Sequence, residues 1–190
     1  MAEVRLVIPS REWLAGYVAA LETGWSPDNL RPEVAREQLA AIARDADAFL
    51  AGMIDREARG GPVTLPDGSQ VQRLPGYRLW IVDGEFAGSI GIRWVPGTPE
   101  LPPHVQGHIG YAIVPWKRNR GYAKQALALM LREARREGLE EVMITTDPDN
   151  VASQRVIEAN GGGPPERYVR GPQYAHSQGL RYRLRTPETA

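Results

Sequence analysis

The residues from Val114 to Leu131, VPWKRNRGYAKQALALML, set a proline, four cations and one glycine against an apolar run with helical spacing. A helix N-terminus exposes unpaired backbone N–H groups and the positive end of the macrodipole, so it attracts phosphate oxygens. Glycine permits a tight turn and lets a ligand approach the main chain where a β-carbon would intrude. Residues 113–123 therefore combine the parts of a pyrophosphate cradle; at this point a solvated, charged turn without a ligand is the alternative. The GxxxxGK[ST] spacing of a Walker loop and the GxGxxG dinucleotide turn are both absent. His104, His108 and His176 are too scattered for a zinc site, and no metal is expected. With no cysteine in the chain, disulfides, thiolate nucleophiles and cysteine-ligated metals drop out.

These residues need a scaffold, and 190 residues suit one domain, expected over 1–190. EVRLVI alternates as a short edge strand before Pro9, and Ser10 is placed to cap the helix REWLAGYVAALETG, which Gly24 ends. Helical spacing continues from Glu33 to about Arg59, with Leu39, Ile42, Phe49 and Met53 on one face. LPDGSQV reads as a small hairpin, and Asp83–Gly84 turns between the strands YRLWIV and EFAGSIGIRWV. GHIGYAIV is a further strand, stopped by Pro115. The helix after it starts near Arg120 and buries Ala123, Leu127, Met130 and Ala134. EEVMITTD is a strand, PDNVASQRVIEANGG a short helix opened by an Asp/Asn cluster, and PERYVR and GLRYRLR two final strands. The order predicts a mixed α/β domain around one central sheet.

Composition narrows the function classes. Cations and anions number 23 each, so there is no general basic field and no nucleic-acid partner is expected. No apolar run approaches the roughly 20 residues that span a bilayer, and charges at Glu3, Arg5, Arg11 and Glu12 interrupt any signal-peptide core. The expectation is a cytoplasmic protein, monomer or homodimer, with no membrane partner.

Three segments in order resemble the GCN5-related N-acetyltransferase (GNAT) superfamily. VPWKRNRGYAKQAL fits its (Q/R)-x-x-G-x-(G/A) motif at Arg118, Gly121 and Ala123, GHIGYAIVP fits the strand before it, and DNVASQRVIEANGG fits a second signature in which Asn150 opens a short helix. The resemblance implies a central, mostly antiparallel sheet with a splayed parallel strand pair, flanked by about four helices, and acetyl-CoA as acyl donor. By analogy, main-chain groups of Ile113 and Val114 meet the pantetheine arm. Amides of Arg118, Asn119, Arg120, Gly121, Tyr122 and Ala123 meet the pyrophosphate, with Lys117, Arg120 and Lys124 within reach of phosphates. Asn150 contacts the cofactor arm or simply caps its helix, and Ser153 faces the cofactor one turn on. The independent physical reading agrees, since an unpaired strand edge seeks a peptide-like partner and pantetheine carries two amides.

The implied reaction is attack of an amine on the thioester carbonyl in a ternary complex, moving acetyl to a small molecule or peptide. Many family members place a tyrosine acid seven residues after the asparagine; here that residue is Ile157. Tyr111 is the candidate substitute acid, with Tyr168 and Tyr174 near the C-terminal strands as alternatives. His108 is the candidate base, because histidine titrates near neutral pH. Tyr174 and His176 are expected to contact the acceptor. Ile157 also supports the rival reading, a catalytically silent acyl-CoA-binding module. A phosphate-dependent regulator unrelated to CoA is a third.

Overall fold

Tyr77, Leu79 and Ile81 point to one face of the strand Gly76–Val82 and Trp80 to the other, and each face is covered by helix. The computed structural model describes residues 3–188; residues 1, 2, 189 and 190, the ends of the expected domain, lie outside the described residues. In chain order the strands are β1 (Arg5–Val7), β2 (Ile54–Asp55), β3 (Val63–Thr64), β4 (Gln70–Val71), β5 (Gly76–Val82), β6 (Phe86–Arg93), β7 (Ile109–Ile113), β8 (Glu141–Thr146), β9 (Glu166–Val169) and β10 (Gln178–Arg185). The helices are α1 (Arg11–Glu22), α2 (Val34–Arg44), α3 (Ala46–Ala51), α4 (Tyr122–Arg136) and α5 (Val151–Glu158).

The expected mixed α/β class holds, with five α-helices among the described residues and antiparallel ladders throughout. The central sheet is parted between β7 and β8, where the resemblance places the splayed strand pair. β1-β5-β6-β7 form one sheet, with β2 on the β5 edge, and β8-β10-β9 form another. β7 and β8 share only the bridge Gly107↔Ile144 and the hydrogen bonds around His108.

Two cores follow from strand alternation. On one face α4 lays Ala126, Leu127 and Met130 against Leu79, Ile81 and Ile90. On the other, α1 and α3 bring Leu14, Tyr17 and Leu50 to Trp80 and Phe86. Tyr17 stacks on Trp80 with centroids 4.6 Å apart, an aromatic pair that adds about 0.5–1.5 kcal/mol to its burial.

The helix read from Glu33 to Arg59 is interrupted. Asp45 is extended (φ −161°, ψ 97°) and accepts the Ala48 N–H at 3.0 Å, ending α2 and capping α3. Beyond Ala51 the chain pairs with β5 as β2, so an exposed sheet edge overrides helical spacing there. The Asp83–Gly84 turn forms as expected, with Gly84 at φ 104°, as does the small β3–β4 hairpin. Ser10 stands at the start of α1 without a side-chain capping bond.

Candidate functional site

The turn read as a cradle is shaped by two left-handed residues. After Ile113 the chain makes a 3-10 turn at Pro115–Lys117, then passes through Asn119 (φ 61°) and Gly121 (φ 79°) into α4. Glycine adopts that conformation freely, and asparagine is among the few other residues that visit it. No side chain caps α4, so the protein leaves its leading N–H groups to a ligand. Arg118, Arg120 and Lys124 are exposed around it.

Lys117 departs from its expected place. It is buried, 2.5 Å from Asp83 and 3.1 Å from Glu85, and the Tyr122 hydroxyl donates to Asp83 at 2.5 Å. Burial would raise the Asp83 carboxyl, but the bonds from Lys117 and Tyr122 hold it below its ordinary value. This cation pins the β5–β6 turn to the start of α4 instead of facing phosphate. Tyr122 likewise turns its side chain inward and leaves only main chain for a ligand.

The gap between β7 and β8 opens beside this turn. The His108 N–H donates to the Met143 carbonyl at 2.7 Å, and the Met143 N–H donates to His108 Nδ1 at 2.9 Å. Gly107, at φ 119°, is required here, since a β-carbon would stand 2.9 Å from the Met143 carbonyl oxygen. Beyond His108 the outer edge of β7 turns to side chains. Asn29 Nδ2 donates to the Tyr111 carbonyl at 3.2 Å, and Arg118 Nε donates to the Ile113 carbonyl at 3.2 Å. An edge served by side chains and not by a strand fits an amide-bearing arm. Val114 does not share that edge: its N–H donates to Ala87 at 3.0 Å and its carbonyl accepts from Lys117 N–H at 3.0 Å. Strand alternation turns it toward β6, which removes it from the expected pantetheine contacts.

The gap runs into a cavity of about 640 Å3, within the range of small-molecule sites. Tyr111, Asn150 and Ser153 line it. The Tyr111 hydroxyl sits 2.8 Å from Ser153 Oγ, and burial pushes the phenol up to about 12. Asn150 accepts the Ser153 N–H at 3.0 Å as the cap of α5, so its capping role is present in the geometry. Ile157 is fully buried in the α4-side core and is no part of the cavity wall.

His108 is 2% exposed, and burial lowers its pKa to about 4. Because Nδ1 accepts from Met143, the proton of the neutral ring sits on Nε2, which has no partner among the described residues. The lone pair a base needs is already in use, so the near-neutral base expected from sequence gives way to a side chain that joins β7 to β8. Tyr174 does reach the cavity, and its hydroxyl donates to the His104 carbonyl at 2.8 Å. His176, in a left-handed conformation (φ 51°), is exposed and outside the cavity lining.

Several residues were not singled out from the sequence. Gln106 accepts from Tyr168 at 2.7 Å and Arg170 at 3.0 Å, and Arg170 pairs with Asp147 at 2.7 Å, tying the β9–β10 connection to the loop before β7. Arg78 and Arg93 lie on the cavity floor. The available signal was a cation on an otherwise apolar strand, half-buried at Arg78 in YRLWIV and exposed at Arg93 at the end of GIRWV.

A parted strand pair, an edge open to an amide-bearing arm and an uncapped helix start mark this as an acyl-carrier-binding type of α/β protein. A model of the acetyltransferase (GNAT) domain matches residues 19–162, and the chain belongs to that family, whose acyl donor is acetyl-CoA. An uncharacterized N-acetyltransferase of Bacillus subtilis (strain 168), YycN, is 27% identical over 97 residues, 51% of this chain and 60% of that protein, so the match leaves two-fifths of the relative uncovered. Two solved structures share the fold. Mycobacterium smegmatis RimJ, in complex with CoA-disulfide, superposes with a TM-score of 0.66 at 19% identity over 98% of this chain and 85% of that one. RimL, a ribosomal L7/L12 alpha-N-protein acetyltransferase in complex with coenzyme A, gives 0.59 at 15% identity over 97% and 95%. Among the described residues, no helix is long and apolar enough to cross a membrane.

Proposed function

We propose that the chain is an N-acetyltransferase that moves the acetyl group of acetyl-CoA to an amine of a small molecule or peptide by direct attack within a ternary complex. The observation that carries this reading is the placement of the uncapped α4 start beside the open β7 edge, with the cavity continuing from that edge. Residues 1–190 act as one cytoplasmic domain, monomeric or homodimeric. Amides from Arg118 to Ala123 hold the pyrophosphate, and Ile113 and Tyr111 main-chain groups receive the pantetheine arm. Asn150 shapes the turn over it, and Ser153 orients the Tyr111 hydroxyl.

When bound, the donor supplies an activated thioester carbonyl; the chain supplies approximation and a proton. Tyr111, protonated at neutral pH, is placed to give a proton to the departing sulfur. His108 fixes the strand junction. The amine enters unprotonated from solvent, and once it has attacked, its nitrogen loses one proton that returns through solvent to the Tyr111 oxygen; holding the amine against the carbonyl accounts for most of the acceleration. One observation favours the silent-module alternative: Ile157 lies in the core where many relatives carry a tyrosine acid.

Calorimetry with acetyl-CoA tests the donor site, and thiol release over a set of amines tests transfer. Wild type should bind, and Gly121→Glu should reduce binding at least about 100-fold while the circular-dichroism spectrum is unchanged, because a carboxylate enters a left-handed position facing the phosphates. Unchanged affinity in the variant would place the pyrophosphate elsewhere. Binding without turnover on any amine would favour the silent module.

A further inference from the structure

Five arginines and three aspartates line the cavity, and three of the arginines are neutralised by carboxylates. Arg31 pairs with Glu33 and Glu37, Arg73 lies 3.8 Å from Asp55, and Arg170 pairs with Asp147. Arg78 and Arg93 have no ion-pair partner among the described residues. Arg78 Nη1 donates to the Pro27 carbonyl at 3.0 Å and Ser89 Oγ at 3.2 Å, and Arg93 Nε donates to the Gly107 carbonyl at 2.8 Å. The third aspartate, Asp28, spends Oδ1 on the Leu30 and Arg31 N–H groups and acts on Arg93 only at longer range.

Register places the two guanidinium groups together. Arg78 is opposite Gly91, and Gly91 is opposite Gly110, so the row running across β5, β6 and β7 carries one side chain followed by two glycines. Arg93 lies in the next row, opposite Gly76 and hydrogen-bonded through its N–H to the His108 carbonyl at 2.9 Å. A β-carbon at Gly110 would meet nothing within 4 Å, so open space stands over that row. Arg93 is exposed towards this space; desolvation by the chain packed around it and then the neighbouring Arg78 charge lower its pKa from its ordinary value, and a bound anion would offset the repulsion between the two cations. The free ends of two adjacent guanidinium groups suit an oxyanion with several acceptor oxygens. Tyr111 and Ser153 stand in the same cavity, which joins this floor to the β7–β8 gap.

Resting on the acetyltransferase reading, we infer that the acceptor is a small amine bearing a carboxylate or phosphate group, and that Arg78 and Arg93 bind that anionic group. Neutral and polycationic amines would leave both guanidinium groups without a directly bonded counter-charge and are disfavoured.

The experiment pairs acceptors that differ only in the anion: alanine against alaninamide for carboxylate, O-phosphoethanolamine against ethanolamine for phosphate. With acetyl-CoA saturating, kcat/KM should favour the anionic member at least tenfold in one pair, which names the anion. Arg78→Gln/Arg93→Gln should bring that ratio close to one while the Kd for acetyl-CoA stays within twofold, and Arg93→Lys should restore part of the preference. In parallel, calorimetry titrates N-acetylalanine and O-phosphoethanolamine into CoA-loaded protein, so the inference is tested even without turnover. Binding of either, lost in the double variant, supports it. Preference for the neutral members, a ratio that survives the double substitution, or no binding of either probe overturns it. If acetyl-CoA itself does not bind but an anionic probe does, the acetyltransferase reading fails while the anion site stands.

Discussion

The turn from Ile113 to Ala123 and the cavity floor at Arg78 and Arg93 flank the same strand, β7, yet they are built by different means. The turn is one unbroken segment, shaped by two left-handed residues and the start of α4, and in the proposed function its backbone amides do the binding. The floor uses side chains from β5 and β6 over a bare glycine row, and those residues meet only through sheet register. A backbone site survives exchange of most side chains, because its donors belong to the conformation. A side-chain site changes with each substitution, which lets one donor-binding design accept different acceptors.

The strongest test of this division is Asp83→Ala. It strands Lys117 without its principal counter-charge and removes the Tyr122 hydrogen bond, both at the base of the turn. Loss of one partner of a buried pair costs about 3–5 kcal/mol, readable in urea melts. At a temperature where the variant is folded, acetyl-CoA affinity should fall while the preference between anionic and neutral acceptors persists. Equal damage to both would mean that the two regions are not separable.

His108 lies at the seam between them and gives a smaller, pH-dependent effect. Its folded pKa of about 4 lies below the ordinary 6.5, so between those values the unfolded chain binds the additional proton. Stability is therefore fully present above pH 6.5 and declines as pH falls toward 4, by about 2–3 kcal/mol. Melts of wild type and His108→Gln at pH 7 and pH 5 should show the wild type losing more on acidification. Parallel losses would mean that another group titrates.

The smallest effect is expected at Ile157→Tyr. The position is enclosed by core, and Gly162 already packs so closely that a β-carbon there would lie 2.6 Å from an Ile157 methyl. Overpacking should cost about 1–3 kcal/mol, and kcat should not rise, because the new hydroxyl has no path to the cavity. A gain in kcat would restore this position to the catalytic side of the molecule.

Legibility follows the same division. The turn at Gly121 and the Asn150 cap could be read because each involves only neighbours a few residues away, and local dihedrals and caps are encoded locally. The same segment misled where direction mattered: Lys117 looked like one of four equivalent cations, but Asp83, distant in sequence, draws it inward. Sequence position alone makes Val114 an edge residue, and only its partner in β6 shows which way it turns. His108 kept its sequence-level chemistry until burial and the Met143 amide took both its basicity and its lone pair.

By itself the sequence determined the element order from β5 onward, the Asp83–Gly84 hairpin, the turn before α4 and the family resemblance, since helical spacing, alternation and glycine conformations depend on near neighbours. The tertiary structure alone decided that Lys117 turns to Asp83, that Ile157 belongs to the core, and that Arg78 and Arg93 come to line one cavity beside Gly110. Each of these depends on which distant segments meet and in what register, and burial, charge pairing and the direction of a side chain acquire values only after that meeting.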